Sequence, residues 1–307
     1  MSINITNSSK GALTLENPVM PAAGIFGYGD EYRDIVQIDK LGAVVTNPVT
    51  LSPWSPAAGT RVVPLRGGVL VHTGLPNPGL NKVINAHRGL WSRSPVPVIV
   101  HLVVASADEA RRCAERMEAE DCIAGVELGI ADDIDGEEAA RQVAAFVETS
   151  EKPLIVRVPF ASPLDLAWSL VDAGAGGVVV SAPPRGTARD SAGRLVAGRI
   201  YGMLVKPLVL RLVGQMARRL NAPVIGAGGI HNPQDARDYL EAGAVAVQVD
   251  SVTWTQPKML ELIARDLGGL VITQPTGALD DEWFPGMGET ERRSRISDAP
   301  TPTERSE

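Results

Sequence analysis

The stretch VIGAGGIHNPQDARDYLEAGAVAVQVDS, residues 224–251, decides the fold. After Pro223 a short apolar run breaks at Gly226-Ala227-Gly228-Gly229. Residues 232–235 (NPQD) then open a helix with Ala236, Tyr239, Leu240 and Ala242 at helical spacing, and a second apolar run, 244–249, stops at Asp250-Ser251. Glycines at the carboxyl end of a strand let backbone N–H groups approach an anion closely, and a short helix after the next strand can add its positive N-terminus. In (β/α)8 barrels the loops after strands seven and eight are the usual phosphate site. Taken alone, GAGG also fits an ordinary tight turn. The whole order of strand, glycines, helix, strand and polar end favours the phosphate-holding barrel unit.

The rest of the chain fits a single barrel. Its 307 residues are 44% hydrophobic, enough to bury a large core, and barrels of about 250 residues are single domains. A net charge of −7 argues against nucleic acid as a partner. The start, MSINITNSSKG, lacks a basic segment followed by an apolar one, and no run reaches the roughly 18 apolar residues of a membrane span, so the expected location is the cytoplasm, with no membrane partner. Cys113 and Cys122 lack the CxxC spacing of a metal or redox site and read as buried or half-exposed thiols, and no metal site is expected.

In chain order, Leu13-Thr14-Leu15 reads as a short strand on the barrel floor, and residues 17–21 as strand one, followed by the small residues Ala22, Ala23 and Gly24, against which a flat ring could lie. Strand two is 42–46, three 98–101, four 123–128, five 154–157, six 177–181, seven 224–225 and eight 244–249. Helices are expected over 107–118, 136–148, 163–173, 207–220 and 257–267 beside the one opened at 232. The segments 50–97 and 183–206 are too long for ordinary loops and read as insertions over the carboxyl-end face, where barrel chemistry sits. Residues 1–285 form one domain on this reading. The polar tail 286–307 is expected to be disordered.

Several blocks in this order resemble the dihydroorotate dehydrogenase family of FMN-dependent barrels, and most of all its soluble class: NPVMPAAG at 17–24 with FGYG at 26–29, GLPNPG at 74–79, Lys206-Pro207, and GAGGI at 226–230 with Asp235-Ala236. The resemblance covers about residues 13–267 and implies FMN as cofactor. It places Ala22, Ala23, Gly24, Asn47, Arg157, Ser181, Gly202, Gly228, Gly229 and Ser251 around that cofactor. Yet most of the family's orotate-binding positions hold other residues here. The flavin-side lysine after strand two falls on Asn47, one substrate asparagine on Val71 and another on Gly129, the serine or cysteine base on Asp132, and the polar pair after strand six on Ser181-Ala182. The family's GGxSGP turn survives only as Gly198-Arg199-Ile200-Tyr201-Gly202-Met203. Asp250 stands where the family has glycine, and a carboxylate near a phosphate repels it.

Four residues could carry chemistry. Arg157 matches the family's strand-five lysine, and a fixed cation there stabilises the charge that builds on a reduced flavin; its alternative is a structural ion pair. Asp132 occupies the base position, although DDID at 132–135 also fits an acidic cap on the following helix. His101 ends strand three at the barrel mouth, where a histidine is either a satisfied rim residue or a ligand contact. His72, beside GLPNPG, is a weaker candidate. Two functions follow. One is an FMN oxidoreductase of the CH–CH type acting on a small molecule other than dihydroorotate. The other is a catalytically lapsed barrel serving as a binding, regulatory or partner subunit. Nothing in the sequence suggests an iron–sulfur or NAD module, so an electron-transfer partner would be a separate protein, and a homo-oligomer is a further expectation.

Overall fold

A computed structural model describes residues 2–7, 11–161 and 164–268. Short runs rich in Val and Ile become parallel strands: β1 (Val19–Pro21), β2 (Val44–Val45), β3 (Val98–Val103), β4 (Gly125–Gly129), β5 (Leu154–Val158), β6 (Gly177–Val180), β7 (Val224–Ala227) and β8 (Ala246–Val249). Each pairs with its sequence neighbour from β2 round to β8, and β8 pairs with β1. Gly42 N donates to Val19 O at 2.8 Å across the remaining seam, which nearly closes the sheet into a (β/α)8 barrel.

The helices are α1 (Leu80–Trp91), α2 (Ala107–Glu118), α3 (Gly136–Thr149), α4 (Leu164–Asp172), α5 (Lys206–Arg219), α6 (Pro233–Glu241), α7 (Val252–Thr255) and α8 (Lys258–Leu267). Their starts are written in the sequence. Ser106, Asp135 and Asn232 each accept a backbone N–H from the first turn of α2, α3 and α6, and prolines open α5 and α6. Eight regular strand–helix units do not form, however. The β1–β2 connection holds only a single 3-10 turn at Ile38–Lys40, and α1 lies inside the segment read as the first insertion. The tail from 286 lies outside the described residues.

Strand alternation divides the barrel into two packed layers. Val98, Val100, Leu102, Val126, Leu128, Val156, Val158, Val178 and Val247 face the helices. Met20, Val45, Ile99, Ile155, Val179, Ile225 and Ala246 face the axis, and Ile5, Leu13 and Leu15 plug its amino end. A two-stranded floor, Ile3–Asn4 against Thr14–Leu15, carries that plug. At the other end, the hairpin Val62–Leu65/Gly68–Val71 from the first insertion and the hairpin Arg185–Arg189/Leu195–Tyr201 from the second join through Arg199 and Val71. They make one four-stranded antiparallel sheet over the carboxyl-end face. No helix among the described residues is long and apolar enough to cross a membrane.

Candidate active site

The axis-facing phase that is apolar at Ile99, Ile155 and Ala246 turns polar two residues later, at His101, Arg157 and Gln248, with Glu127 beside them on β4. All four are buried, and Glu127 has no exposure at all. The Glu127 carboxylate accepts from His101 Nδ1 at 2.8 Å and from Gln248 Nε2. Arg157 NH2 donates to Gln248 Oε1, and Arg157 Nε lies 3.1 Å from Glu127 Oε1 as an ion pair, although that N–H is not aligned on an acceptor. Burial alone would push the Glu127 carboxyl up. The Arg157 charge and the hydrogen bonds from His101 and Gln248 outweigh it and hold the group at about 2. A carboxylate can only accept, so His101 Nδ1 carries a proton and Nε2 is the ring nitrogen turned away from Glu127.

His101 and Gly129 occupy one space between them. A Cβ built on Gly129 would lie 2.9 Å from His101 Nε2, so the imidazole stands where a side chain on Gly129 would begin. Gly129, where the family resemblance implies a substrate asparagine, leaves a space that a ring from the neighbouring strand fills. Backbone contacts fix that ring as well, since His101 N donates to Thr46 Oγ1 at 3.1 Å.

The loop carboxylate is placed differently. Both oxygens of Asp132 accept from Arg199, at 2.8 and 2.6 Å, and Arg185 lies 3.9 Å away. The acid therefore ties the β4 loop to the hairpin sheet. Asp135, not Asp132, caps α3. Asn47 holds the glycine turn after β1, accepting from Gly27 N at 3.2 Å and donating its own N–H to Gly27 O at 2.7 Å. Ser181 Oγ turns back to Ala182 O at 2.9 Å. Gly202 packs against the other insertion, its would-be Cβ 2.4 Å from Gly67 O. Exposed His72 donates its N–H to Arg61 O at 2.7 Å in the first hairpin. Ala22 and Ala23 are buried beneath the mouth, and Gly24 is exposed.

On the far side of the mouth, Gly229 has φ +67° and a would-be Cβ 2.7 Å from Lys206 N, so only glycine lets the turn press on the start of α5. Facing it, Asp250 is 3% exposed. Its Oδ2 accepts from Gly229 N at 3.3 Å, and its Oδ1 from Ser251 N at 2.5 Å and from Ser251 Oγ at 3.1 Å. Burial pushes the Asp250 carboxyl up, and the N–H groups of Ser251 and Gly229 pull it only part of the way back.

An oriented imidazole and an ion pair lie sunk in the carboxyl-end mouth, the end at which barrel enzymes carry their chemistry. Comparison supplies the family. A family model for dihydroorotate dehydrogenase matches residues 7–162 and 167–271, and the chain belongs to that family. It is 33% identical to the catalytic subunit of dihydroorotate dehydrogenase B (NAD(+)) of Geobacter sulfurreducens over 272 residues, 83% of this chain and 89% of that one. The corresponding subunits of Trichlorobacter lovleyi and Pelobacter propionicus are 34% and 32% identical, over 84% and 87% of this chain and 90% and 92% of theirs.

The flavin implied by the family resemblance can be tested against these residues end by end. Small residues at Ala22 to Gly24 and the buried Arg157 guanidinium suit a flat ring that gains negative charge on reduction. At the phosphate end the fit fails, because Asp250 takes the N–H groups of Gly229 and Ser251. Glu127 and Gln248 did not stand out in the sequence. Their signal was a charged and an amide residue in the axis-facing phase of otherwise apolar strands.

Proposed function

We propose that this protein is a flavin-dependent oxidoreductase that acts on a small molecule other than dihydroorotate, with His101 as its proton acceptor. The observation that carries the proposal is the buried His101–Glu127 pair beside Arg157 at the barrel mouth. A bound flavin supplies hydride acceptance. The chain's residues do the rest: Ala22, Ala23 and Gly24 seat the ring, and Arg157 offsets the negative charge that accumulates on it. His101 Nε2 takes the proton that leaves the substrate carbon next to the one losing hydride, and Glu127 holds the ring in that tautomer and stabilises the imidazolium.

This assignment replaces the base expected at Asp132, whose oxygens are committed to Arg199. Val71, Gly129 and Ala182 offer no polar side chains where the family resemblance places orotate contacts. Each lost buried partner costs about 1–3 kcal/mol, so three of them weaken transition-state binding by several orders of magnitude. FMN is the flavin the family resemblance implies. The names of the relatives, as catalytic subunits of an NAD(+)-dependent enzyme, favour a separate electron-transfer subunit as partner, and the cytoplasm fits the sequence.

The test is to reconstitute the protein with riboflavin or FMN, record its visible spectrum, and mix it anaerobically with dihydroorotate beside the Geobacter sulfurreducens subunit. The expected result is a flavin spectrum that dihydroorotate bleaches at least about a thousandfold more slowly than in the relative. A protein that takes up no flavin would favour the binding or regulatory reading, and comparable bleaching rates would refute the change of substrate.

A further inference from the structure

The Asp250 carboxylate sits in the cradle that glycines and a serine build after β7 and β8, and both of its oxygens are engaged there. Oδ2 takes the N–H of Gly229, and Oδ1 takes the N–H and hydroxyl of Ser251. An incoming phosphate dianion would have to displace it from donors it already holds and then lie against its charge. Nearby cations offer no relief. Lys206, at the base of the turn, is bound to Asp235 at 2.6 Å and also to Asp238, and Arg157 is committed to Glu127 and Gln248. Backbone room is equally short, because Gly228 and Gly229 already press on Val205, Val209 and Lys206.

Resting on the flavin reading above, we propose that Asp250 is a built-in occupant of the anion cradle, so that this chain holds its flavin by the ring and sugar chain and gains nothing from a terminal phosphate. The cofactor class it selects is then the unphosphorylated flavin. Riboflavin binds at least as tightly as FMN, and Asp250 is the residue that blocks the phosphate.

The experiment titrates the flavin-free full-length protein with riboflavin and with FMN, following flavin fluorescence, in the wild type and in Asp250→Gly and Asp250→Asn. In the wild type FMN is expected to bind no tighter than riboflavin. Asp250→Gly frees the donors and raises FMN affinity at least about tenfold while leaving riboflavin within about threefold. Asp250→Asn keeps the bulk and loses the charge, and gains less. A wild type that prefers FMN by more than about tenfold overturns the proposal. A second arm needs no flavin and serves if neither flavin binds, the outcome that sinks the flavin reading alone. Inorganic phosphate, at ionic strength balanced with chloride, is expected to raise the melting temperature of Asp250→Gly, or of Asp250→Ala should the glycine variant not fold, and to leave the wild type unchanged. Equal stabilisation of wild type and variant, or of neither, overturns the occupied cradle.

Discussion

Glu127 and Asp250 are both carboxylates sunk in the carboxyl-end half of the barrel, 0% and 3% exposed, yet they are displaced in opposite directions. Burial comes first for each and raises each. Glu127 has a guanidinium, an imidazole N–H and an amide around it, and these reverse the sign. Asp250 has two backbone N–H groups and one hydroxyl, which do not. Glu127 thus sits in a charge-compensated cluster, and on the readings proposed above that cluster meets the flavin ring while Asp250 plugs the phosphate cradle. Depth alone predicts neither state; the partner does.

Removing the compensation should have the largest effect. Arg157→Met leaves the Glu127 charge buried without its guanidinium partner and is expected to cost about 3–5 kcal/mol in urea unfolding, whereas the double variant Glu127→Gln/Arg157→Met recovers most of that loss. Equal losses in both would show that Arg157 acts by packing.

Acid titration separates the two carboxylates by sign. Glu127, held at about 2 in the folded state against about 4.3 unfolded, contributes stability that is complete above the unfolded value and is lost as pH falls through the folded one, on the order of 3 kcal/mol in all. Stability therefore falls less steeply between about pH 4.5 and 2 in Glu127→Gln than in the wild type. Asp250, raised on folding, gives the reverse: its contribution is present below the unfolded value of about 3.9 and is lost as pH rises through the folded one. Asp250→Asn should gain on the wild type as pH goes from about 4 to 7. Parallel pH curves for the two variants would erase the contrast.

The smallest effect belongs to the rim. Asp132→Asn weakens a half-exposed tie to Arg199 and is expected to cost about 0.5–1 kcal/mol, with flavin uptake intact. Loss of uptake would return Asp132 to the reacting centre.

How much of this was legible follows from the same residues. Short Val- and Ile-rich runs and the helix start at residues 232–235 placed strands and helices to within a few positions, because both signals are local. His101 showed because it ends an apolar run, and Arg157 through the family resemblance. Glu127 and Gln248 lie inside such runs, and their importance depends on three other strands bringing partners to the axis, which no local pattern reveals. The hairpin pairing of Val71 with Arg199 joins segments far apart in the chain and was equally hidden, so Asp132 looked free. Asp250 was visibly out of place in the sequence, but its turn inward onto Gly229 and Ser251 is set by the packing of two separate loops, which no local pattern reveals.

The central claim is that the Glu127–Arg157 pair faces the flavin ring, and the midpoint potential of the bound flavin reads it most directly. In flavin-loaded protein, checked as folded by circular dichroism, Arg157→Gln is predicted to lower the potential and Glu127→Gln to raise it, because one removes a positive and the other a negative charge beside a ring that becomes anionic on reduction. An identical potential in the wild type and both variants would place the ring elsewhere and contradict the account.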